Sequence, residues 1–221
     1  MTENRVAVVV LNWNGEKYLR RFLPSVTENL PDYARLFVAD NGSTDNSLSF
    51  LSDKYPEVSV ISLGSNSGYA GGYNKALRTI EADYYVLLNS DVEVTRHWIE
   101  PVIEYMDIQA LVAAAQPKIL SFSEKQKFEY AGASGGFIDI LGFPFCRGRI
   151  FDNIESDHGQ YDNSMEILWA TGACMFVRAA AFWEAEGFDE RFFAHMEEID
   201  LCLRLQRIGY SIAAVPSSKV Y

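Results

Sequence analysis

Positive charge is scarce in this chain: 19 lysines and arginines stand against 30 aspartates and glutamates, a formal net charge of −11 over 221 residues. Binding nucleic-acid backbones or an anionic surface needs a basic footprint. Nucleic acid is therefore excluded as a partner, and any anionic ligand has to be held by a metal or by backbone amides. Cysteine is equally sparse. Cys146, Cys174 and Cys202 are widely spaced, odd in number and without a CxxC pair, which argues against a disulfide framework or a zinc site and for a reducing compartment. No apolar run is long enough to span a membrane, and the first residues lead directly into a strand without a signal-peptide core, so the segment reads as soluble and cytoplasmic. Neither GxGxxG nor GxxxxGK[ST] occurs, which disfavours a dinucleotide-dependent dehydrogenase. Repeats and domain linkers are also missing. A 48% hydrophobic content suffices for one large core.

What is present is an alternation of apolar runs and amphipathic segments. Residues 5–11 form a β-branched run of the kind buried on both faces of a parallel sheet. Residues 16–26 follow at helical spacing, with Pro24 expected to bend or end that helix. Further strands are read at 36–39, 58–63, 84–88 and 111–115, with helices through Ser47, Leu48 and Leu51, over 73–80 and over 96–106, the last expected to bend at Pro101. Such alternation argues a mostly parallel α/β sheet. Residues 116–163 lose the helical period and read as hairpins and loops over the sheet edge. Phe143, Phe145 and Phe151 there fit either core or an exposed platform, with core favoured by burial preference. Strands at 166–169 and 173–177, a helix over 178–184 and a final helix closing at Gly209 complete the pattern.

The polar residues gather where strands end. Asn89-Ser90-Asp91-Val92-Glu93 terminates the 84–88 run, and ligands of open α/β sheets bind at that mouth. The same residues also suit a plain turn. Asp40 closes the second strand, and Ser43 or Thr44 behind it suits a helix cap. GSNSGYAGG at 64–72 either connects flexibly or lets backbone approach a ligand. Glu197, Glu198 and Asp200 sit in the first turn of the last helix. They favour its dipole, yet such acids repel one another, which a metal or a hydroxyl substrate would explain. His195 alone carries no metal-ligand spacing and fits packing or hydrogen bonding better.

VVVLNWNG at 8–15, VADNGSTD at 38–45, NSGYAGGYNKAL at 66–77, LLNSDVEV at 87–94, ATGACMFVR at 170–178 and GFDERFFAHMEEIDLCLRLQRIGY at 187–210 together resemble, in order and spacing, the inverting GT-A fold glycosyltransferases of family two, in particular the rhamnosyltransferase-like group. The resemblance implies an α/β fold in a single domain over 1–221. Its nucleotide-binding half would be 1–115, with a β-rich acceptor and catalytic half over 116–221. The activity implied is transfer of a sugar, from a dTDP-rhamnose-like or UDP-sugar donor, to a glycan or lipid-linked glycan acceptor in cell-surface polysaccharide synthesis. A lipid-linked acceptor would bring the protein peripherally to the inner face of the membrane.

On the same footing, Asn12, Asn14, Asp40, Asn66, Gly68, Asn74, Asn89, Ser90 and Asp91 would contact the donor, with Asp40 pairing with the base. Asp91 would hold Mg²⁺ or Mn²⁺, and Asn89, standing where the family's first acid stands, would contact either the metal through water or only the ribose. Glu198 would be the general base, with Glu197 and Asp200 as neighbours able to replace it. Trp169, Gly172, Ala173 and His195 would face the acceptor. A further metal-ligating histidine and more helices often follow this point in the family, so a truncated catalytic core is expected. A nucleotide-sugar-binding module without catalysis is the alternative.

Overall fold

The computed structural model describes residues 5–130 and 132–221. In chain order it contains β1 (Val6–Asn12), α1 (Glu16–Glu28), β2 (Ala34–Asp40), α2 (Ser47–Lys54), β3 (Ser59–Ser62), α3 (Gly68–Leu77), β4 (Tyr84–Asn89), α4 (Glu100–Ile108), β5 (Val112–Ile119), β6 (Gly136–Ile138), β7 (Pro144–Cys146), β8 (Arg149–Ile150), β9 (Asn153–Ile154), β10 (Met165–Ile167), β11 (Cys174–Arg178), α5 (Ala179–Glu184), α6 (Glu197–Arg207) and β12 (Ser211–Val220). Eight strands form one sheet in the order β10-β12-β5-β11-β4-β1-β2-β3. All but β10 and β11 run parallel, so the expected mostly parallel α/β sheet is borne out.

The period of two along β1 explains how the sheet is covered. Val6, Val8 and Val10 pack with Leu19 and Leu23 of α1, Leu51 of α2 and Val102 of α4. Ala7 and Val9 face the other side, among Tyr73 and Leu77 of α3, Phe182 of α5 and Leu201 of α6. Two hairpins, β6–β7 and β8–β9, lie outside the sheet. Among the described residues, no helix is long and apolar enough to cross a membrane.

Several local expectations change. Pro24 does not end α1, which continues to Glu28. The carbonyl it leaves without an amide partner is that of Arg20, on an exposed face where water serves. Pro101 lies in the first turn of α4, where its missing N–H costs nothing. Neither Ser43 nor Thr44 caps α2; Asp45 accepts from the Ser47 amide at 3.0 Å, and Ser43 turns to Asn12 and Asn14. α3 starts at Gly68, inside the glycine-rich stretch, rather than at Tyr73. Phe143, Phe145 and Phe151 are exposed at 66%, 48% and 86%. Core burial is thus overturned, because the hairpins carrying them project instead of folding back onto the sheet.

One buried ion pair ties this outer region down. The Lys118 side chain on β5 is fully buried, and its Nζ donates to both Asp157 carboxylate oxygens at 2.9 Å and to Asp162. Burial opposes ionisation of Asp157, but the hydrogen bond and charge of Lys118 outweigh it and hold its pKa below the usual range. Removing one partner strands the other in low dielectric. Lys118→Met should therefore cost about 3 kcal/mol in urea unfolding at neutral pH. Asp157's contribution is present above its unfolded pKa and lost as pH falls through the lower folded one, so the deficit of the variant should shrink below about pH 4.

Candidate active site

Parallel register brings the polar strand ends together. Asn12 of β1 lies opposite Asp40 of β2, and Leu11 is opposite Asn89 of β4. From the other side, antiparallel β11 starts at Cys174 opposite Leu88, and the Asn89 amide donates to the Ala173 carbonyl at 3.0 Å. The Thr171-Gly172-Ala173 turn thus arrives at the same edge. It is held from behind by buried Gln116, which accepts from the Thr171 amide at 3.0 Å and donates to the Gly132 carbonyl at 2.9 Å.

A cleft of about 610 Å³ opens there, lined by Asn89, Asp91, Gly172, Ala173, His195, Glu197 and Glu198 together with Tyr69, Ser121 to Ser123, Glu129, Tyr130, Ile154 and Tyr221. Glu197 is 4% exposed and Glu198 half-buried, and each keeps one buried carboxylate oxygen without a hydrogen-bond partner. Desolvation pushes Glu197 up to about 7, the charge of Glu198 adding to it. Burial raises Glu198 as well, with His195 pulling in the opposite direction. Two carboxyls whose pKa burial raises, each with an oxygen free to accept, suit proton abstraction from a bound hydroxyl.

The approach to these acids is strained. Phe193, His195 and Met196 all have positive φ, 59°, 71° and 73°, without being glycine, a conformation that persists only where the surroundings enforce it. The Ala194 amide closes back on the Phe192 carbonyl at 2.6 Å, while the Phe193 carbonyl accepts from the Tyr69 amide at 2.6 Å and from Ala70 at 3.3 Å. A backbone oxygen from far along the chain therefore fills the N-terminus of α3. The glycines of 68–72 serve this packing: a Cβ on Gly68, itself at φ +73°, would collide with the Phe193 carbonyl, and one on Gly72 would meet Leu11 at 2.8 Å.

The remaining sequence candidates lie apart from the cleft lining. Asn12 is fully buried and donates to Asp40 at 3.2 Å and to Ser43 at 3.1 Å. Asp40, 1% exposed, also accepts from the Ser43 amide at 3.0 Å, so a base could reach it only if the 41–45 loop opened. Asn14 holds that loop through the Thr44 and Asp45 amides. Asn66 accepts from Asn41 and from the Gly68 amide at 2.8 Å. Asn74 exchanges hydrogen bonds with the Phe188 backbone. Ser90 is half-buried at the strand end. Trp169 is buried against Gly136 and donates to the Phe137 carbonyl at 2.8 Å. Asp200 is paired with Arg204 at 2.7 Å and opens onto a different depression beside Asp189 and Arg191. Sequence reasoning passed over Tyr69, whose hydroxyl donates to the Gly172 carbonyl at 2.7 Å and whose ring packs on Tyr73. The only signal was an aromatic residue inside a glycine-rich stretch.

Among the described residues, no three His, Cys, Asp or Glu side chains converge to hold a metal. Asp91 offers one exposed carboxylate on the cleft. That suits a hard divalent cation whose other ligands are water and the oxygens of a bound phosphate.

The sequence model of Glycosyl transferase family 2 matches residues 7–183. An N-acetylglucosaminyl-diphospho-decaprenol L-rhamnosyltransferase of Mycobacterium tuberculosis (strain CDC 1551 / Oshkosh) is 27% identical, the match covering 96% of this chain and 74% of that one. Rhamnosyltransferase WbbL of Escherichia coli (strain K12) is 25% identical over 96% of this chain and 81% of its own. In three dimensions the chain is similar to GalNAc-T7, solved with UDP, GalNAc and Mn²⁺, at a TM-score of 0.77 and 16% identity, over 99% of this chain. It spans 44% of that solved chain, and the likeness is one of fold.

Gly68 gives the sharpest test of how the cleft is held. Gly68→Ala should push Phe193 off the α3 N-terminus, lower stability by about 2 kcal/mol and speed amide exchange at Tyr69 and Ala70. Unchanged protection at both amides would mean that the 193–196 segment is positioned by something else.

Proposed function

The chain belongs to glycosyl transferase family 2, and from that we propose that it is an inverting glycosyltransferase moving a sugar from a nucleoside diphosphate donor to a hydroxyl of a glycan acceptor. The observation that carries the reading is the pair Glu197 and Glu198, each with one buried, unpartnered carboxylate oxygen, on the same cleft as Asp91 at the C-terminal edge of the sheet. The two rhamnosyltransferase relatives support a deoxyhexose such as rhamnose as the sugar moved, and a role in surface polysaccharide synthesis; the donor on this proposal is dTDP-rhamnose-like or, alternatively, a UDP-sugar. The decaprenol-linked substrate in the name of the first supports a lipid-linked acceptor; with such an acceptor the chain would work at the inner face of a membrane.

In this reading the acceptor hydroxyl lies over Gly172 and Ala173. One of the two glutamates takes its proton as the oxygen attacks the anomeric carbon. The bond from that carbon to the phosphate oxygen breaks on the opposite face, inverting the centre, and the nucleoside diphosphate leaves with the electron pair. Asp91 would hold Mg²⁺ or Mn²⁺ together with the donor phosphates, and the cation, when bound, supplies positive charge that this acidic cleft lacks. Tyr69 keeps Gly172 in place, and Asn12, Asp40 and Ser43 brace the backbone over which the base would lie.

A panel of UDP-, GDP- and dTDP-sugars with Mn²⁺ or Mg²⁺ tests this by thermal shift and by product formation. Asp91→Ala should abolish the metal-dependent part of nucleotide binding. Glu197→Gln and Glu198→Gln should both retain donor binding, and the one that removes the base should lower kcat by roughly 10²- to 10⁴-fold. Donor binding by the unaltered protein without even slow donor hydrolysis would instead mark a binding module.

The raised pKa of Glu197 adds a pH signature with a definite sign. Its folded value of about 7 lies above the ordinary 4.5, so the protonated form stabilises the fold fully below the unfolded pKa, and that contribution is lost as pH rises through 7. Glu197→Gln should therefore be more stable than the parent at pH 8, by roughly 1–3 kcal/mol, with the gain fading toward pH 4.5. If Glu197 is the base, kcat/KM should rise through the same window and then level off. A flat stability difference across that range would place the carboxylate in water.

A further inference from the structure

The β6–β7 hairpin ends in a turn with an unusual surface. Residues 140–146 read Ile-Leu-Gly-Phe-Pro-Phe-Cys, without a charge. Ile140 is 101% exposed, Leu141 78%, Phe143 66% and Phe145 48%. Ile140 is as open as in an extended peptide and Leu141 and Phe143 nearly so, which makes these three project from the molecule, while Phe145 at the base of the tip stacks on Phe137 at 5.8 Å between ring centroids. Exposed apolar surface of this kind is costly in water and marks a contact site.

The backbone of the turn points to the nature of the contact. Asp139 is the single charge at the tip, and its Oδ1 accepts from the Leu141 amide at 2.8 Å and the Phe143 amide at 2.9 Å. The Gly142 amide donates to the Asp139 carbonyl at 3.0 Å, the Asp139 amide to the Phe143 carbonyl at 3.0 Å, and Pro144 has no amide to satisfy. Three successive amides at the apex are thus bonded to one residue, and the charge is spent inside the turn. A loop meeting a protein partner gains from offering polar groups at its apex. A loop pressed into the headgroup boundary of a bilayer gains from satisfying its own amides, because fewer partners meet them there than in water, while the carbonyls of 140–142 stay within reach of interfacial water. Gly142, at φ +89°, lets the apex close this way.

We propose that this hairpin tip is a wedge that inserts Ile140, Leu141 and Phe143 into the surface of a lipid bilayer. With a net charge of −11 and no basic residue between 139 and 146, attraction to anionic headgroups contributes nothing, and burial of apolar side chains at the headgroup boundary supplies the affinity. Binding to zwitterionic vesicles is then insensitive to salt, in contrast to electrostatic adsorption. The wedge goes beyond the glycosyl-transfer reading, which it complements by holding the protein where a lipid-linked acceptor is found.

Flotation of the chain with phosphatidylcholine vesicles, without donor, metal or acceptor, tests it separately from that reading. The unaltered protein should float at both low and high salt. The triple variant Ile140→Ser, Leu141→Ser, Phe143→Ser should lose bound fraction by about tenfold or more. Ile108→Ser with Leu111→Ser, equally exposed but outside the hairpin, should not. Phe143→Trp should show an emission blue-shift on vesicle addition, together with quenching by brominated lipid. Failure of the parent protein to float, equal flotation of the triple variant, or loss of binding at high salt would each overturn the proposal. So would a dimer, seen by sedimentation, that the triple variant dissolves, since the tip would then be a contact between two copies of the chain.

Discussion

Parallel strand register is the constraint on which the cleft depends. In a parallel ladder the strands share a direction, so their C-termini lie along one edge, and pairing of Asn12 with Asp40 and Leu11 with Asn89 brings those ends level. A slip of one residue would turn Val8 and Val10 from one packed face to the other, against two fully buried cores. Hydrophobic packing therefore fixes the polar edge without any of the polar residues taking part. β11 adds what a purely parallel sheet could not. Running antiparallel between β4 and β5, it starts at the edge where its neighbours stop and so delivers Gly172 and Ala173 beside Asn89.

The acids reach this edge by a different route, along the chain that precedes α6. Three positive-φ residues there carry strain that local sequence does not relieve. The compensation comes from α3: two amides of its first turn, which would otherwise need water or a ligand, are bonded to the Phe193 carbonyl. Gly68 makes room for that carbonyl, and Tyr69 in the same turn bonds Gly172. A single helix start thus couples the segment carrying Glu197 to the turn that would carry the acceptor. For the same reason this helix N-terminus is not free to bind phosphate, although its glycines invite that reading.

The fold was legible in the sequence because it rests on periodicity. The run at 5–11 and the helical spacing of Leu19, Phe22, Leu23 and Val26 depend only on which faces are buried, and those faces are buried as read. The strand-end acids were legible for the same reason, since a buried strand has to stop somewhere and Asp40 and Asp91 mark the stop. What escaped depends on partners far along the chain. Nothing near Gly68 announces Phe193, and nothing near Trp169 announces the Phe137 carbonyl that takes its indole N–H. Phe143, Phe145 and Phe151 were read as core on side-chain type alone, which cannot tell a hairpin that folds back from one that projects. Asp200 and the two glutamates looked alike as first-turn acids, yet Arg204, one turn on, draws Asp200 away.

Glu197 and Glu198 are neighbours on one helix, about 100° apart, and such neighbours ordinarily face different surroundings. Both reach the cleft because it wraps around the first turn of α6, and so they differ in burial rather than in direction: Glu197 is almost closed off and Glu198 half open. Desolvation raises both, and the charge on Glu198 raises Glu197 further. Ionising one therefore makes ionising the other harder. His195 works against that rise at Glu198 and has no such part at Glu197. On the transfer reading the difference in access matters. Glu198, the more open of the two, meets an incoming hydroxyl with less rearrangement, whereas Glu197 can take a proton only from a group that enters its closed end of the cleft.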